Sequence, residues 1–364
     1  MRLELTKRST PSNLMTYLSP IIGLALALIA GAIMFSFLGK PPLGALYAYF
    51  IEPVSEMWSV HELLIKAAPL ILMGAGLCVC YQSNNWNIGA EGQMIMGGMA
   101  GSILPVMFPQ IAGPFVLPAM LIMGVLGGMA YAAIPALLKT KFKTNEILTS
   151  LMLVYIAQLF LDWTVRGAWR NPQGLNFPET RRFDDFARIA EMMPADGRAN
   201  FGFVIAIVVA LAIWVMMAKS MKGFQVKVIG ASPKAARFAG FDAKKMVFFA
   251  FLLAGATAGL AGIVEVAGAS GQLRTTISPG YGFTAIIVAF LGRLNPIGAI
   301  VAGLVLALTF LGGEAAQISL GVSDKVARVF QGLILFFVLA CDTLILYRIR
   351  LVFSAKPASQ KGAA

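Results

Sequence analysis

Apolar residues in this chain fall into long unbroken runs, without the alternation that gives a water-facing helix or strand one polar side. The runs occupy residues 18–38, 63–81, 94–108, 113–138, 147–164, 201–218, 246–266, 281–291, 296–312 and 329–346. They predict an all-α, polytopic membrane protein with about ten transmembrane helices, because a bilayer core offers peptide groups no water and a helix pairs its own. Residues 94–108 and 281–291 fall well short of the roughly 20 apolar residues a full crossing needs. Each is expected to be broken or extended by its polar flank. Residues 18–38 are too long for a signal-peptide core and no small-residue cleavage motif follows, which predicts a retained first span.

Between the second and third runs lies N-N-W-N-I-G-A-E-G-Q-M-I-M-G-G-M-A-G, residues 84–101. Irregular polar backbone at membrane depth persists only where protein buries it or where it lines a watery cavity. The other short run has a similar lead-in, S-P-G-Y-G-F at residues 278–283. Each short run is the second of four, in segments 63–164 and 246–346 that start from opposite sides of the membrane. Paired interrupted spans in an inverted repeat point to a transporter's binding site. Asn87, Glu91, Gln93, Tyr281, Phe283 and Asn295 are therefore the candidate substrate path, polar and aromatic side chains able to hydrogen bond and stack. Helix capping and core packing are the competing uses of the same residue types.

Composition agrees with a membrane chain. Hydrophobic residues make up 58% and charged residues 13%, against roughly 45–50% and about 25% in soluble domains. The 37 glycines, with G-x-x-x-G spacings at Gly97/Gly101 and Gly255/Gly259, suit close helix contacts. The net charge of +12 is a topology signal rather than a nucleic-acid signal. Basic residues gather in 1–17, 139–146, 219–245 and the tail, whereas 165–200 mixes arginines with carboxylates. This places both termini in the cytoplasm and divides the chain into an N-terminal segment 1–17, a transmembrane domain 18–346 with an outer loop 165–200 and a cytoplasmic loop 219–245, and a tail 347–364. Lys66, Asp162, Glu265 and Asp342 lie in or near spans, where charge marks function or a structural pair; Lys66 can snorkel to the interface. The three cysteines read as apolar fillers, and the single His61 as an interfacial residue. No G-x-x-x-x-G-K-[ST], H-E-x-x-H, G-x-S-x-G or metal-ligand spacing occurs. A non-enzymatic chain is expected, with no catalytic residue, metal or cofactor of its own.

The loop 219–245 carries a helix signature. In G-A-S-P-K-A-A-R-F-A-G, residues 230–240, Ser232 suits an N-cap, Pro233 the first helical position and Gly240 the residue past the end. A helix of about two turns would display Lys234, Arg237 and Phe238, either to a groove of another protein or to lipid headgroups.

Five motifs in order carry a resemblance: N-I-G-A-E-G-Q (87–93), K-F-K-T-N-E-I-L-T-S-L-M-L-V-Y-I-A (141–157), W-R-N-P-Q-G-L-N-F-P (169–178), G-A-S-P-K-A-A-R-F-A-G (230–240) and G-Y-G-F-T-A-I-I-V-A-F-L-G-R-L-N-P-I-G (280–298). Together they resemble the permease subunits of bacterial nucleoside and simple-sugar ABC importers, within the branched-chain amino acid and ribose permease family. The resemblance implies a type II importer core in the bacterial cytoplasmic (inner) membrane, working by alternating access. It also implies three partners: a second permease, an ABC ATPase that binds ATP-Mg, and an extracytoplasmic substrate-binding lipoprotein. Ser232, Pro233, Lys234, Arg237, Phe238 and Gly240 match its ATPase-coupling region. The runner-up readings are an ABC permease for other sugars or branched-chain amino acids, and a secondary transporter driven by protons through Glu91 or Glu265.

Overall fold

The structure, a computed structural model, describes residues 2–7, 13–193, 197–323 and 325–352. In chain order the elements are strand β1 (Arg2–Lys7), α1 (Asn13–Phe37), α2 (Pro42–Phe50), α3 (Met57–Gln82), α4 (Ala90–Met107), α5 (Val116–Phe142), α6 (Glu146–Arg166), α7 (Gly202–Lys219), α8 (Met221–Ala231), α9 (Pro233–Phe238), α10 (Ala243–Val264), α11 (Tyr281–Leu291), α12 (Pro296–Leu320), α13 (Lys325–Leu346) and strand β2 (Tyr347–Val352). Every apolar run read from the sequence folds as a helix. Among the described residues, six helices are long and apolar enough to cross a membrane: α3, α5, α6, α7, α12, and α10 with its π-helical continuation to Ser270.

The chain divides into two compact units, Met1–Leu46 with Arg328–Ala364, and Tyr47–Ala327. In the first, β1 pairs antiparallel with β2, Arg2 opposite Val352. There α1 lies against α13 so closely that a Cβ on Gly23 would stand 2.8 Å from the Val338 Cα. Sequence reading named residues 2–7 and 347–352 only as parts of an N-terminal segment and a tail, because pairing between chain ends leaves no local signal. The remainder of the expected tail, and the side chain of Asp342, lie outside the described residues.

The second unit is built around α3 and α10. Every residue of α3 from Ala67 to Tyr81 is buried, and α3 packs on α7, α10, α11 and α12. Helix α10 packs on α3, α4 and α5. Apolar residues alone give no specificity in such a bundle, since lipid tails are as apolar as leucine. Backbone contact supplies it. A Cβ on Gly259 would sit 2.2 Å from the Gly124 carbonyl oxygen, and one on Gly97 would sit 2.2 Å from the Gly259 Cα. The G-x-x-x-G faces are therefore the crossing point of α4, α5 and α10.

Besides the two strands, two helices and one helix end lie beyond the sequence expectations. Helix α2 precedes α3, and α8 begins at Ser220, whose Oγ accepts from the Gly223 N–H at 3.2 Å. The third is the length of α12, which continues past residue 312 to Leu320 and so carries Glu314 on a helix face. There Glu314 pairs with Lys66 at 2.8 Å, so Lys66 is held by an ion pair. The loop 165–200 is pinned across the π-helical segment and the residues that follow it, with the Thr180 N–H donating to Leu273 O, Phe183 N–H to Gly271 O and Ile189 N–H to Ala267 O.

Gly259→Val should cost about 3 kcal/mol, since the new side chain meets backbone that cannot yield, whereas Gly332→Ala, with nothing within 4 Å of its Cβ, should stay within about 0.5 kcal/mol. Thermal or denaturant unfolding in detergent measures both.

Candidate translocation and coupling sites

The two Gly-rich lead-ins meet inside the second unit. Helix α4 starts at Ala90, so its polar flank does extend the short third run, and Glu91 and Gln93 fall in its first turn. Helix α11 is not extended by its flank and spans only the short run, Tyr281–Leu291. Ser278 Oγ accepts from the N–H groups of Gly280 (3.1 Å) and Tyr281 (2.9 Å), and Gly280 takes φ +104°, where a side chain is strained. The first turn of α11 then lies on the first turn of α4. A Cβ on Gly282 would stand 2.2 Å from the Glu91 nitrogen, and the Gly282 N–H donates to Glu91 Oε2 at 2.5 Å. Two positive helix ends thus converge on one carboxylate, which sits in the first turn of α4 and accepts from the first turn of α11.

Asn87 and Gln93 are committed to each other. Asn87 Nδ2 donates to Gln93 Oε1 and Gln93 Nε2 to Asn87 Oδ1, each at 3.1 Å. Asn87 also accepts from the Gly89 N–H through Oδ1 (3.0 Å) and from Tyr81 Oη through its carbonyl (3.0 Å). All three polar residues, Asn87, Glu91 and Gln93, are buried. Tyr281 is buried edge-on to Phe310, with ring centroids 5.2 Å apart. Phe283, beside Tyr281 on α11, is exposed, at 38%, on a face that Ile286 and Phe290 continue at helical spacing. Asn295 stands at the far end of α11, where its Oδ1 accepts from the Ile297 N–H at 3.1 Å and starts α12. The structure therefore brings five of the six path candidates together and leaves Asn295 apart.

Sequence reading missed a cavity of about 480 Å³ at the opposite end of α3. Its walls include Glu52, Glu56, Trp58 and Ser59, together with the ion pairs Lys66–Glu314 and Glu62–Arg198. Arg198 Nη2 lies 2.7 Å from Glu62 Oε1. No local signal joins residues so far apart in the chain; the clue was the unexplained density of charge flanking two apolar runs.

At the other end, the coupling candidates form the helix their sequence specifies. Ser232 Oγ accepts from the Ala235 N–H at 3.3 Å, Pro233 opens the helix and Gly240 takes φ +77°. Ala236 is buried, while Lys234, Arg237 and Phe238 face outward, the last 98% exposed. An aromatic ring so exposed, beside two cations, takes no part in the core.

A helical bundle with broken helices at its centre and a capped helix presented at one end defines a membrane transport subunit that works with a partner. The chain belongs to the family of branched-chain amino acid transport system permease components, whose profile matches residues 59–339. It is 34% identical over 367 residues to a glucose ABC transporter permease of Haloferax volcanii, covering 98% of this chain and 96% of that one. A guanosine ABC transporter permease of Bacillus subtilis is 28% identical, over 88% of this chain and 92% of the relative. A nucleoside ABC transporter permease of Lactococcus lactis is 26% identical, over 88% and 90%. The protein is thus a multi-pass membrane permease of an ABC transporter, and ATP is hydrolysed by a separate ATPase chain. ATP, rather than a proton gradient through Glu91 or Glu265, is its energy source.

Glu91→Ala should cost about 2 kcal/mol, because a charge-assisted hydrogen bond is lost and a buried N–H is stranded, while Glu91→Gln, which keeps an acceptor, should cost about half as much. In the Asn87/Gln93 pair, each single change to Ala should cost about 1 to 3 kcal/mol and the double change less than their sum. Unfolding of the purified chain in detergent checks all five variants.

Proposed function

We propose that this permease imports nucleosides or related simple sugars into the cytoplasm by alternating access, from a position in the cytoplasmic membrane with both termini on the cytoplasmic side. The carrying observation is the placement of α9 and the polar cavity at opposite ends of α3, a helix of 26 residues and so about 39 Å long. The distribution of basic residues puts α9 on the cytoplasmic side. There Lys234, Arg237 and Phe238 dock into a groove of the ATPase, which binds ATP-Mg, while Ser232, Pro233 and Gly240 fix the shape of the helix.

The cavity then faces outward, towards an extracytoplasmic substrate-binding lipoprotein. Its carboxylates accept hydroxyl protons, its cations donate, and the half-exposed Trp58 ring stacks on an uncharged ring. These features suit the polyhydroxylated ring that glucose and guanosine share. A second, non-identical permease completes the path, which runs along the face of Phe283. In this conformation Asn87, Glu91, Gln93 and Tyr281 form the wall behind that face, and Asn295 sets its cytoplasmic limit.

An inverted repeat of residues 63–164 and 246–346 is supported by the packing. Exchanging α3 with α10, α4 with α11 and α5 with α12 turns the α3–α12 and α3–α11 contacts into α10–α5 and α10–α4, all of which occur. The exchange leaves α3–α10 and α4–α11 in place.

Uptake of labelled guanosine and glucose by cells carrying the whole cassette, with nucleosides, sugars and amino acids as competitors, tests the substrate. Competition by amino acids alone would remove the assignment. For the coupling role, Phe238→Ala should weaken co-purification of the ATPase by about 2 kcal/mol, the loss expected for an anchor residue. Unchanged co-purification would assign α9 to the lipid surface instead.

A further inference from the structure

The connection from α3 to α4 is held by five other helices at once. On one side, α8 touches it backbone to backbone: a Cβ on Gly230 would lie 1.8 Å from the Gln82 carbonyl oxygen and 3.3 Å from the Ser83 Cα. Towards α11 and α12, Gln82 Nε2 donates to the Leu294 carbonyl oxygen in the turn between them. The Tyr81 and Trp86 rings stack on Phe290, with centroids 5.1 Å and 6.1 Å away. Towards α5 and α6, Lys139 Nζ donates to Asn85 Oδ1 at 2.8 Å and to Glu146 Oε1 at 2.5 Å. The connection reaches α4 itself through the Asn87–Gln93 amide pair.

The Gly230–Gln82 contact has no flexible side chain in it. Close-packed backbone does not absorb displacement gradually, so movement of α8 either carries residue 82 along or breaks the contact. We propose that this contact is where movement of α8 and α9 enters the bundle. Gln82 and the Tyr81–Trp86–Phe290 stack pass the movement to α11 and α12, and Asn85 and Asn87 pass it to α5, α6 and α4. Gly230 and Gln82 are positioning residues, since both act through neighbouring elements. The inference rests on the reading of α9 as the ATPase contact.

Contiguity motivates the route, and a coupling measurement decides it. Spin labels at Leu148→Cys and Ile297→Cys, both exposed, report on the starts of α6 and α12 in the assembled complex with its ATPase. With ATP-Mg added, the distance between them should shift in the otherwise native chain. Gln82→Met removes the donor to Leu294 at nearly constant size, and Gly230→Ala forces the contact apart. Either should cut the shift by about half or more while ATP hydrolysis stays within about twofold, as a loss of coupling requires. The double change should do little beyond the stronger single one. If Gly230→Ala fails to assemble, Gln82→Met decides alone.

A full shift in Gln82→Met overturns the route. So does a parallel fall in shift and hydrolysis, or the absence of any shift in the otherwise native complex. Failure of the α9 reading shows itself separately, as a Phe238→Ala chain that retains its ATPase.

Discussion

Two helices of this permease begin in its interior, and a helix start leaves N–H groups without partners. In a soluble protein water would supply them; here protein must. The Glu91 carboxylate answers part of this need for α4 and α11 together, standing in the first turn of one and accepting from Gly282 in the first turn of the other. The arrangement requires the backbones to approach closely enough that no side chain fits at residue 282. It explains why α11 stops at eleven residues, since it starts within the bundle and has only part of the thickness left to cross. It also explains why the polar residues of residues 87–93 are buried: they build the junction that the short helices need.

From that junction the rest of the unit takes its arrangement. Helices α3 and α10 form the paired centre, and the glycine crossings of α10 with α4 and α5 hold the bundle where apolar burial cannot discriminate. Apart from Glu91 at the junction, the charges that flank α3 lie towards its ends, either paired, as in Lys66–Glu314 and Glu62–Arg198, or presented, as in Lys234 and Arg237. A transporter needs this separation. Helix α3, buried without a break from Ala67 to Tyr81, relates the two ends.

Local signals were legible because their physics is local. Ser232, Pro233 and Gly240 specify a helix through neighbours three or four residues away, and α9 forms where they direct. The bounds of α11 follow from Ser278 and Gly280 in the same way. What failed was of two kinds. Helix α8 lacks a run long enough to stand out, its buried positions Gly223, Val226 and Ile229 being spread among lysines. The end of α12 was set too early because Gly312, Gly313 and Glu314 resemble a helix end, yet Glu314 has a partner on α3, 248 residues away.

The candidate path shows the same division. Its residue types announced a polar centre in an apolar chain, and sequence alone established the membrane class, the helices of the ten apolar runs, the two short spans and the capped helix between α8 and α10. It left open whether Asn87, Glu91 and Gln93 face a substrate or each other, because an amide or carboxylate has the same character in either role. Tertiary structure decided that by bringing residue 91 to residue 282, residue 87 to residue 93 and residue 82 to residue 230. Hydropathy is a property of the residue, whereas a hydrogen bond or a backbone contact is a property of the pair, and the pair exists only once the chain has folded.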